Sequence, residues 1–232
     1  MDKKNLKKEN HKSYLPLFTL ILNSAMIVVV VVLILCNIYH VIQLPSKLDV
    51  QILNLFFWLV GIIAILFCKK IIPTYFILLY SIFLFFSHFL GSVLGFYWMQ
   101  FLNIGLWWDK FLHTSFGYLI CYVALYVLCR LSKIDSLRPT LVVLIIISFS
   151  ALSAVLWEII EFTSDSLLHT IAQGERLPLA TGGSVIAVND TMFDLIVHMS
   201  GTTVFVLQYI LHSVTKKSFL IGNLKINFSK EK

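Results

Sequence analysis

The sequence predicts an all-α membrane protein, a polytopic bundle of six transmembrane helices with its N- and C-termini in the cytoplasm. Of the 232 residues, 59% are hydrophobic and only 13% are charged, whereas about 25% are charged in an average globular protein. A soluble fold of this size has too little interior to bury so much apolar side chain. Long apolar runs recur along the chain, and basic residues cluster in alternate loops between them. Disorder, a disulfide scaffold and an ordinary cytosolic enzyme are therefore excluded.

The six predicted spans are the apolar runs that charged or turn-forming residues separate. A bilayer core about 30 Å thick needs about 20 apolar residues in a helix. The first run is too long for a signal peptide and lacks a small-residue cleavage site, so we interpret it as a retained helix. Lys69 and Lys70 end the short second run, and Pro73 is compatible with the first turn of the third. The spans are residues 15–42, 52–68, 71–98, 107–129, 141–162 and 192–212.

Basic residues give the predicted orientation, because Lys and Arg favour short cytoplasmic loops. Of the 18 Lys and Arg residues, all lie on one side of this topology except Lys47, Lys110 and Arg176. The tails 1–14 and 213–232 are therefore predicted to be cytoplasmic. The net charge of +6 follows from this topology and from attraction to anionic lipid, not from nucleic-acid binding. We expect one membrane domain over 1–232, in which spans 1 and 2 (15–68) precede a four-helix core (71–212) that contains the functional site.

Half of the acidic residues lie inside or at the edges of the apolar runs. At about 1.5 Å per residue, the span directions place these six acids in the outer third of the membrane, together with three histidines. Ionisable groups are costly in a bilayer and normally face the interior of a bundle. The sequence therefore predicts one shared polar site. Its predicted members are Asp109, Glu158, Glu161, Asp165, Asp190, Asp194, His88, His113 and His198.

The spacing of these residues places most of them on single helix faces, three or four residues apart. Asp109 and Asp190 begin their predicted helices, where capping of free N–H groups explains a carboxylate equally well. Capping does not explain the residues that lie a turn or more deeper. The three stripes are Asp109 with His113, Glu158 with Glu161, and Asp190 with Asp194 and His198.

Crowded carboxylates at low dielectric either take up protons or bind a cation. Imidazole with carboxylate suits Zn²⁺, Mn²⁺ or Fe²⁺, and carboxylate-rich sets suit Mg²⁺ or Ca²⁺. We therefore expect a divalent metal ion (Zn, Mn, Fe or Mg) and no organic cofactor, and a two-metal site remains open. Glu158 and Glu161 are the catalytic candidates, and Asp165 is a further polar member of the site. The candidate ligands are Asp109, His113, Asp190, Asp194, His198 and His88.

These residues also form motifs that resemble a known family. The motifs are His88-x-x-Gly91, Trp108-Asp109-Lys110-x-x-His113-x-x-x-Gly117, Trp157-Glu158-x-x-Glu161 and Asp190-x-x-x-Asp194 followed by Gly201. They resemble the YjdF-like inner-membrane proteins, a bacterial family of unknown function, over spans 3 to 6. The Trp-Asp-Lys-x-x-His opening is more weakly similar to VanZ-like membrane proteins. The resemblance implies a compact, multi-pass helical protein of the bacterial plasma membrane with a shared polar site, and it implies no particular reaction.

Three functions are compatible with such a site. The first is a metal-dependent hydrolase or transferase that acts on a lipid or lipid-linked headgroup at the outer leaflet, with Glu158 or Glu161 as general base. The aromatic rim (Tyr97, Trp98, Trp107, Trp108) and a covering loop at 174–188 fit such a substrate. The second function is transport or sensing of a divalent cation or of protons, and the third is a structural or regulatory membrane subunit. Membrane lipids are the expected partners in each case.

The inner half of the spans discriminates between these functions, because a transporter needs polar residues that continue inward. We find only Ser148, Ser150 and Ser153 there, and no ionisable group in the inner half of the stripes. The sequence therefore predicts a one-sided site, which favours chemistry at the membrane surface over passage through it.

Overall fold

The computed structural model describes residues 3–44, 48–68, 72–98, 104–131, 134–168, 176–178, 184–186 and 188–215. Within these ranges the chain is helical apart from short turns and one small hairpin, whose strands pair antiparallel with Arg176 opposite Ile186. A π-helical segment, Phe85–Val93, continues the third helix directly. The elements are α1 (Lys3–Ile38), α2 (Leu48–Phe67), α3 (Thr74–Leu84), α4 (Ile104–Leu131), α5 (Pro139–Leu168), β1 (Arg176–Pro178), β2 (Ser184–Ile186) and α6 (Val188–Thr215).

The helices confirm the predicted all-helical membrane fold. Five of those described, α1, α3 with its π-helical continuation, α4, α5 and α6, are long and apolar enough to cross a membrane. The apolar part of α2, Gln51–Phe67, is shorter. The side of the membrane on which the termini lie stays a prediction.

The helix bounds differ from the predicted apolar runs, and two of the differences bear on the site. The third span ends at Val93 instead of residue 98, because the chain leaves the helix at Leu94 and Gly95 adopts a positive φ of 83°. The fourth helix begins at Ile104, so Asp109 lies in its second turn and not its first. Capping therefore does not account for Asp109. Asp190 does lie in the first turn of its helix, α6.

The chain forms two compact units, Met1–Trp108 and Asp109–Lys232. In the first unit, α1, α2 and α3 surround a core that includes Val30, Trp58 and Leu84. A buried amide joins two of these helices, since Asn23 Nδ2 donates to the carbonyl of Thr19 at 2.8 Å and to Ser81 Oγ at 2.8 Å. Such interhelical hydrogen bonds are typical of membrane helices, because the interior of the bilayer lacks water.

In the second unit, two glycines bring α4 and α6 into close contact. A Cβ atom at Gly201 would overlap the carbonyl oxygen of Thr114, and a Cβ atom at Gly117 would overlap that of His198. Small residues allow this close backbone approach in membrane bundles. The crossing places Asp109 and His113 of α4 beside the first turns of α6. Apolar side chains of α5, including Leu152, Leu156 and Ile160, are exposed, as expected for a surface in contact with lipid.

Candidate functional site

The ammonium group of Lys110 lies among three aspartates. Its Nζ atom is 2.9 Å from Asp109 Oδ2, 2.8 Å from Asp190 Oδ1 and 2.6 Å from Asp194 Oδ1. The Lys110 side chain is 13% exposed and that of Asp194 is 2% exposed. An ammonium has three N–H donors, so these three contacts use all of them. Asp190 and Asp194 present the same face of α6 to Lys110 because they are four residues apart.

Lys110 is the functional residue that sequence reasoning missed. In the predicted topology, Lys110 is only one of the three basic residues on the outer side of the membrane. Two signals pointed to it, since it is one of few basic residues on that side and it stands within the Trp-Asp-Lys motif. A charge inside an apolar segment needs a partner, and this rule applies to lysine as well as to acids.

The imidazole of His113 lies one turn along α4 from Asp109, between two sets of carboxylates. Its Nε2 atom is 3.7 Å from Asp109 Oδ1 and 3.8 Å from Asp194 Oδ1, and its Nδ1 atom is 3.9 Å from Glu158 Oε1. His113 is only 7% exposed. The three distances exceed the 2.7–3.2 Å or so of a hydrogen bond. The two ring nitrogens therefore face carboxylates across gaps on opposite sides of the ring.

Two sets of side chains could hold a metal ion, and His113 belongs to both. One set is Asp109, His113 and Asp194, and the other is His113, Glu158 and Glu161; the ligand atoms within each set lie within 4.8 Å of one another. Two ligands that are each about 2.1 Å from one ion lie at most about 4.2 Å apart, so small side-chain shifts would close either set. Trp157 Nε1 donates to Glu161 Oε1 at 2.7 Å, which orients that carboxylate.

The structure brings together five of the predicted acids and His113, and it places the other predicted members elsewhere. Among the described residues, neither ligand set includes His198 or Asp165. His198 Nε2 instead lies 2.9 Å from Ser150 Oγ, deeper in the second unit. Asp165 is buried one turn beyond Glu161 on α5. Asp190 belongs to the Lys110 cluster and to neither ligand set.

His88 lies in the first unit, within the π-helical segment. Its Nδ1 atom is 2.8 Å from Ser87 Oγ, and its ring contacts Phe57 edge to face, with centroids 4.5 Å apart. Two parts of the predicted rim and covering loop lie outside the described residues. One is the side chain of Trp98. The other is most of the loop at 174–188, of which β1, β2 and the first residue of α6 are described.

Fold and site together define a polytopic helical membrane protein with a buried cluster of acids, one histidine and one lysine. Residues 20–214 match the family described as "Predicted membrane protein (DUF2238)". The chain belongs to this family, which is the YjdF family that its motifs resemble. The family description assigns no reaction.

An uncharacterised protein of Thermotoga maritima is 34% identical to this chain over 118 residues, which are 50% of this chain and 53% of that protein. The chain thus spans about half the length of the curated relative that it matches. No solved structure matches the chain significantly.

Proposed function

We propose that this protein is a metal-dependent enzyme of the bacterial plasma membrane, a hydrolase or transferase that acts on a lipid or lipid-linked headgroup. The proposal rests mainly on one observation, the position of His113. Its buried ring lies between carboxylates that are 3.7–3.9 Å from its nitrogens, too far for direct hydrogen bonds. Mixed imidazole and carboxylate donors are the ligands that Zn²⁺, Mn²⁺ and Fe²⁺ prefer.

The charge of the cluster supports a bound cation. Five carboxylates meet here, and the ammonium of Lys110 is bonded to three of them. The cluster is therefore strongly negative when its acids are ionised. Like charges at low dielectric are stabilised by a cation or by protonation. A divalent ion compensates two of these negative charges at a single point. The five acids are Asp109, Glu158, Glu161, Asp190 and Asp194.

The position of Lys110 favours one of the two ligand sets. An ion between Asp109 and Asp194 would lie close to the ammonium that these aspartates already contact, and the two cations would repel each other. We therefore assign the ion to His113 Nδ1, Glu158 and Glu161. The Nε2–H group of His113 then points toward Asp109 and Asp194. Donation of the second ring N–H to a carboxylate, which a small side-chain shift would allow here, is the usual arrangement for a metal-binding histidine.

This assignment gives Glu158 and Glu161 a ligand role in place of the catalytic role that the sequence predicts. A bound divalent ion supplies polarisation of a phosphoryl or carbonyl oxygen and activation of water. Three protein ligands leave coordination positions open for substrate and water. Lys110 has no donor left for a substrate, so its role is to neutralise the aspartates and fix their geometry around His113.

The location of the cluster suggests a headgroup as substrate. On α4, Trp107 is 71% exposed and precedes Asp109 by two residues. On α6, Asp190 belongs to the first turn. Tryptophan is enriched at the depth of lipid headgroups, and helix ends reach the same depth. The cluster therefore lies where a headgroup can reach it. The outer leaflet follows from the predicted orientation.

Metal analysis of the full-length protein tests this proposal. The protein is purified in detergent, stripped with a chelator, reloaded with Zn²⁺, Mn²⁺ or Mg²⁺ and analysed for bound metal. We expect stoichiometric uptake by the wild type and loss of uptake in His113→Gln and Glu161→Gln. The control is Asp165→Asn, which removes an acid from the same helix as Glu161 but outside both ligand sets. A wild type that binds no metal would contradict the proposal, as would equal loss of uptake in the control.

The lipid substrate needs a separate test. Lipid extracts of cells with and without the protein are compared by mass spectrometry. We expect one headgroup class to accumulate in cells that lack the protein and to return to its normal level when the wild type, but not His113→Gln, is restored. Unchanged lipids together with stoichiometric metal would support the metal site but contradict the proposed substrate.

A further inference from the structure

The buried face of α6 is polar along most of the helix. Apart from Gly201, its buried residues are three or four positions apart. Phe205 is the one buried side chain among the described residues of this helix that carries no polar atom. From the first to the last of these residues the helix rises about 27 Å, most of the thickness of a bilayer core. The residues are Asp194, His198, Thr202, Phe205, Tyr209 and His212.

This face also contains a histidine far from the acidic cluster. The sequence predicts no ionisable group in the inner half of the polar stripes, whereas His212 is buried near the C-terminal end of α6. Tyrosine and threonine contribute to an apolar run in a hydropathy pattern, although each carries a hydroxyl group. Helical spacing aligns them on one face, but only the packing of the helix shows that this face is buried.

Ser150 of α5 connects part of this face by hydrogen bonds. Its Oγ atom lies 2.9 Å from His198 Nε2 and 2.7 Å from Thr202 Oγ1, and all three residues are almost fully buried. Helices α5 and α6 thus contribute to one connected group, which begins at His198, one turn along α6 from Asp194.

A second hydrogen-bonded group lies farther along α6. The hydroxyl of Tyr118 donates to Gln208 Oε1 at 2.5 Å, and it lies 3.5 Å from the hydroxyl of Tyr122. The ring of Phe205 packs against both tyrosines, with centroids 5.6 Å from Tyr118 and 4.8 Å from Tyr122. Phe205 follows Thr202 by one turn on α6, so it comes between the two polar groups along the helix.

Packing alone does not require this arrangement. A serine or threonine in a membrane helix satisfies its hydroxyl by donating to the preceding turn, as Ser153 does to the carbonyl of Phe149 and Thr203 to that of Met199, both at 2.8 Å. Thr202 has two acceptors for one proton, Ser150 Oγ at 2.7 Å and the carbonyl of His198 at 3.2 Å. A hydroxyl with two alternative acceptors can change the direction in which it donates.

The imidazole of His198 connects the hydrogen-bonded group around Ser150 to the acidic cluster. Its Nδ1 atom is buried and has no hydrogen-bond partner among the described residues, while Nε2 contacts Ser150. His198 follows Asp194 of the cluster by four residues on α6, so the two buried side chains lie one turn apart on the same helix face. An imidazole can relay a proton, because it accepts one proton at one ring nitrogen and then releases another from the second ring nitrogen.

We propose that the buried face of α6, with Ser150 and Tyr118 from the neighbouring helices, is a path for protons that leads from the acidic cluster toward the C-terminal end of α6. Within each polar group, an imidazole or hydroxyl accepts a proton on a lone pair and releases its own proton to the next acceptor. Phe205 separates the two polar groups and cannot carry a proton, so a water molecule that enters when its ring moves aside takes the proton across. One proton moves in total, and every residue regains its original state when the hydroxyls turn back. This activity requires neither the metal nor the lipid substrate.

Proton flux into proteoliposomes tests the proposal. The full-length protein is reconstituted into phosphatidylethanolamine and phosphatidylglycerol vesicles that contain a pH-sensitive dye, and a potassium gradient with valinomycin drives proton entry. We expect the wild type to acidify the vesicles faster than protein-free vesicles, and Ser150→Ala and Thr202→Val to reduce the rate to that of protein-free vesicles. The matched controls Ser153→Ala and Thr203→Val, on the same helices, should retain the wild-type rate.

Two further measurements separate conduction from folding. Thr202→Val preserves side-chain shape, so its thermal unfolding in detergent should stay near that of the wild type. Thr202→Ser preserves the hydroxyl and should retain most of the flux although it loses a methyl group. The proposal is overturned if the wild type conducts no faster than protein-free vesicles. It is equally overturned if the matched controls lose as much flux as Ser150→Ala and Thr202→Val.

Discussion

The two compact units bury polar side chains in different ways. In the first unit the buried polar groups are neutral, and they bond to backbone or to neighbouring side chains, as Asn23 does with Thr19 and Ser81 and as Trp58 Nε1 does with Asn54 Oδ1 at 2.9 Å. The second unit also buries neutral hydroxyls, but it adds ionisable side chains, and Lys110 contacts three carboxylates. Neutral hydrogen bonds stabilise membrane helices modestly, whereas a buried charge requires its counter-charge.

This difference indicates where function resides. A neutral polar group satisfied by its neighbours is sufficient to hold two helices together. Five acids around one lysine and one histidine exceed that need, because each ionised acid is costly in a bilayer. The candidate functional site therefore lies in the second unit, and the described part of the first unit buries only neutral polar groups of the kind that hold helices together. Single substitutions in each unit test the contrast.

The largest effect is expected for Lys110→Met, which leaves three aspartates without their shared ammonium. Removal of one partner from a buried ion pair costs about 3–5 kcal/mol of folding free energy. Denaturant or thermal unfolding of the detergent-solubilised protein measures the change. Lys110→Arg, which keeps the charge, should recover part of the loss. A Lys110→Met protein as stable as the wild type would show that the aspartates do not depend on this lysine.

A smaller effect is expected when a methyl group is added to one tightly packed glycine in each unit, Gly61 in the first and Gly201 in the second. A Cβ at Gly201 would overlap the carbonyl of Thr114, and a Cβ at Gly61 would overlap Asn23 Oδ1. Overpacking of this kind typically costs about 1–3 kcal/mol. We expect both Gly201→Ala and Gly61→Ala to lower the melting temperature. Only Gly201→Ala should also weaken metal uptake, because a shift of α6 away from α4 moves Asp194 from its place beside Nε2 of the metal-binding His113. Equal uptake in the two variants would contradict the contrast.

The smallest effect is expected for Ser81→Ala in the first unit, which removes the side-chain acceptor of Asn23. Hydrogen bonds between membrane helices contribute about 0.6 kcal/mol on average. The melting temperature should fall slightly, and metal uptake should match that of the wild type. A loss of stability comparable to that of Lys110→Met would show that neutral and charged polar contacts are equivalent in this protein.

Much of the fold could be predicted because a bilayer restricts the chain to helices with long apolar runs. The helix ends were harder to place, since they depend on local backbone geometry such as the positive φ of Gly95. The apolar residues Ile104 to Leu106 also lengthen α4 before its Trp pair, which moved Asp109 out of the first turn. Hydropathy does not register either effect.

The candidate site could be predicted in part. Helical spacing correctly aligned Asp109 with His113 and Asp190 with Asp194, because residues on one helix have a fixed geometry. Spacing did not show that Lys110 would turn toward α6, or that His198 would contact Ser150 instead of the carboxylates. Those contacts depend on the close crossing at Gly117 and Gly201. Sequence periodicity does not encode how two helices are rotated against each other.

The central claim is that His113 binds a metal ion together with Glu158 and Glu161. X-ray absorption at the metal edge tests it most directly, on protein that has been stripped and then reloaded with Zn²⁺ or Mn²⁺. We predict scattering from one imidazole together with oxygen ligands at about 2.0–2.2 Å, and loss of the imidazole signal in His113→Gln. A spectrum without imidazole, or one that His113→Gln leaves unchanged, would contradict the claim.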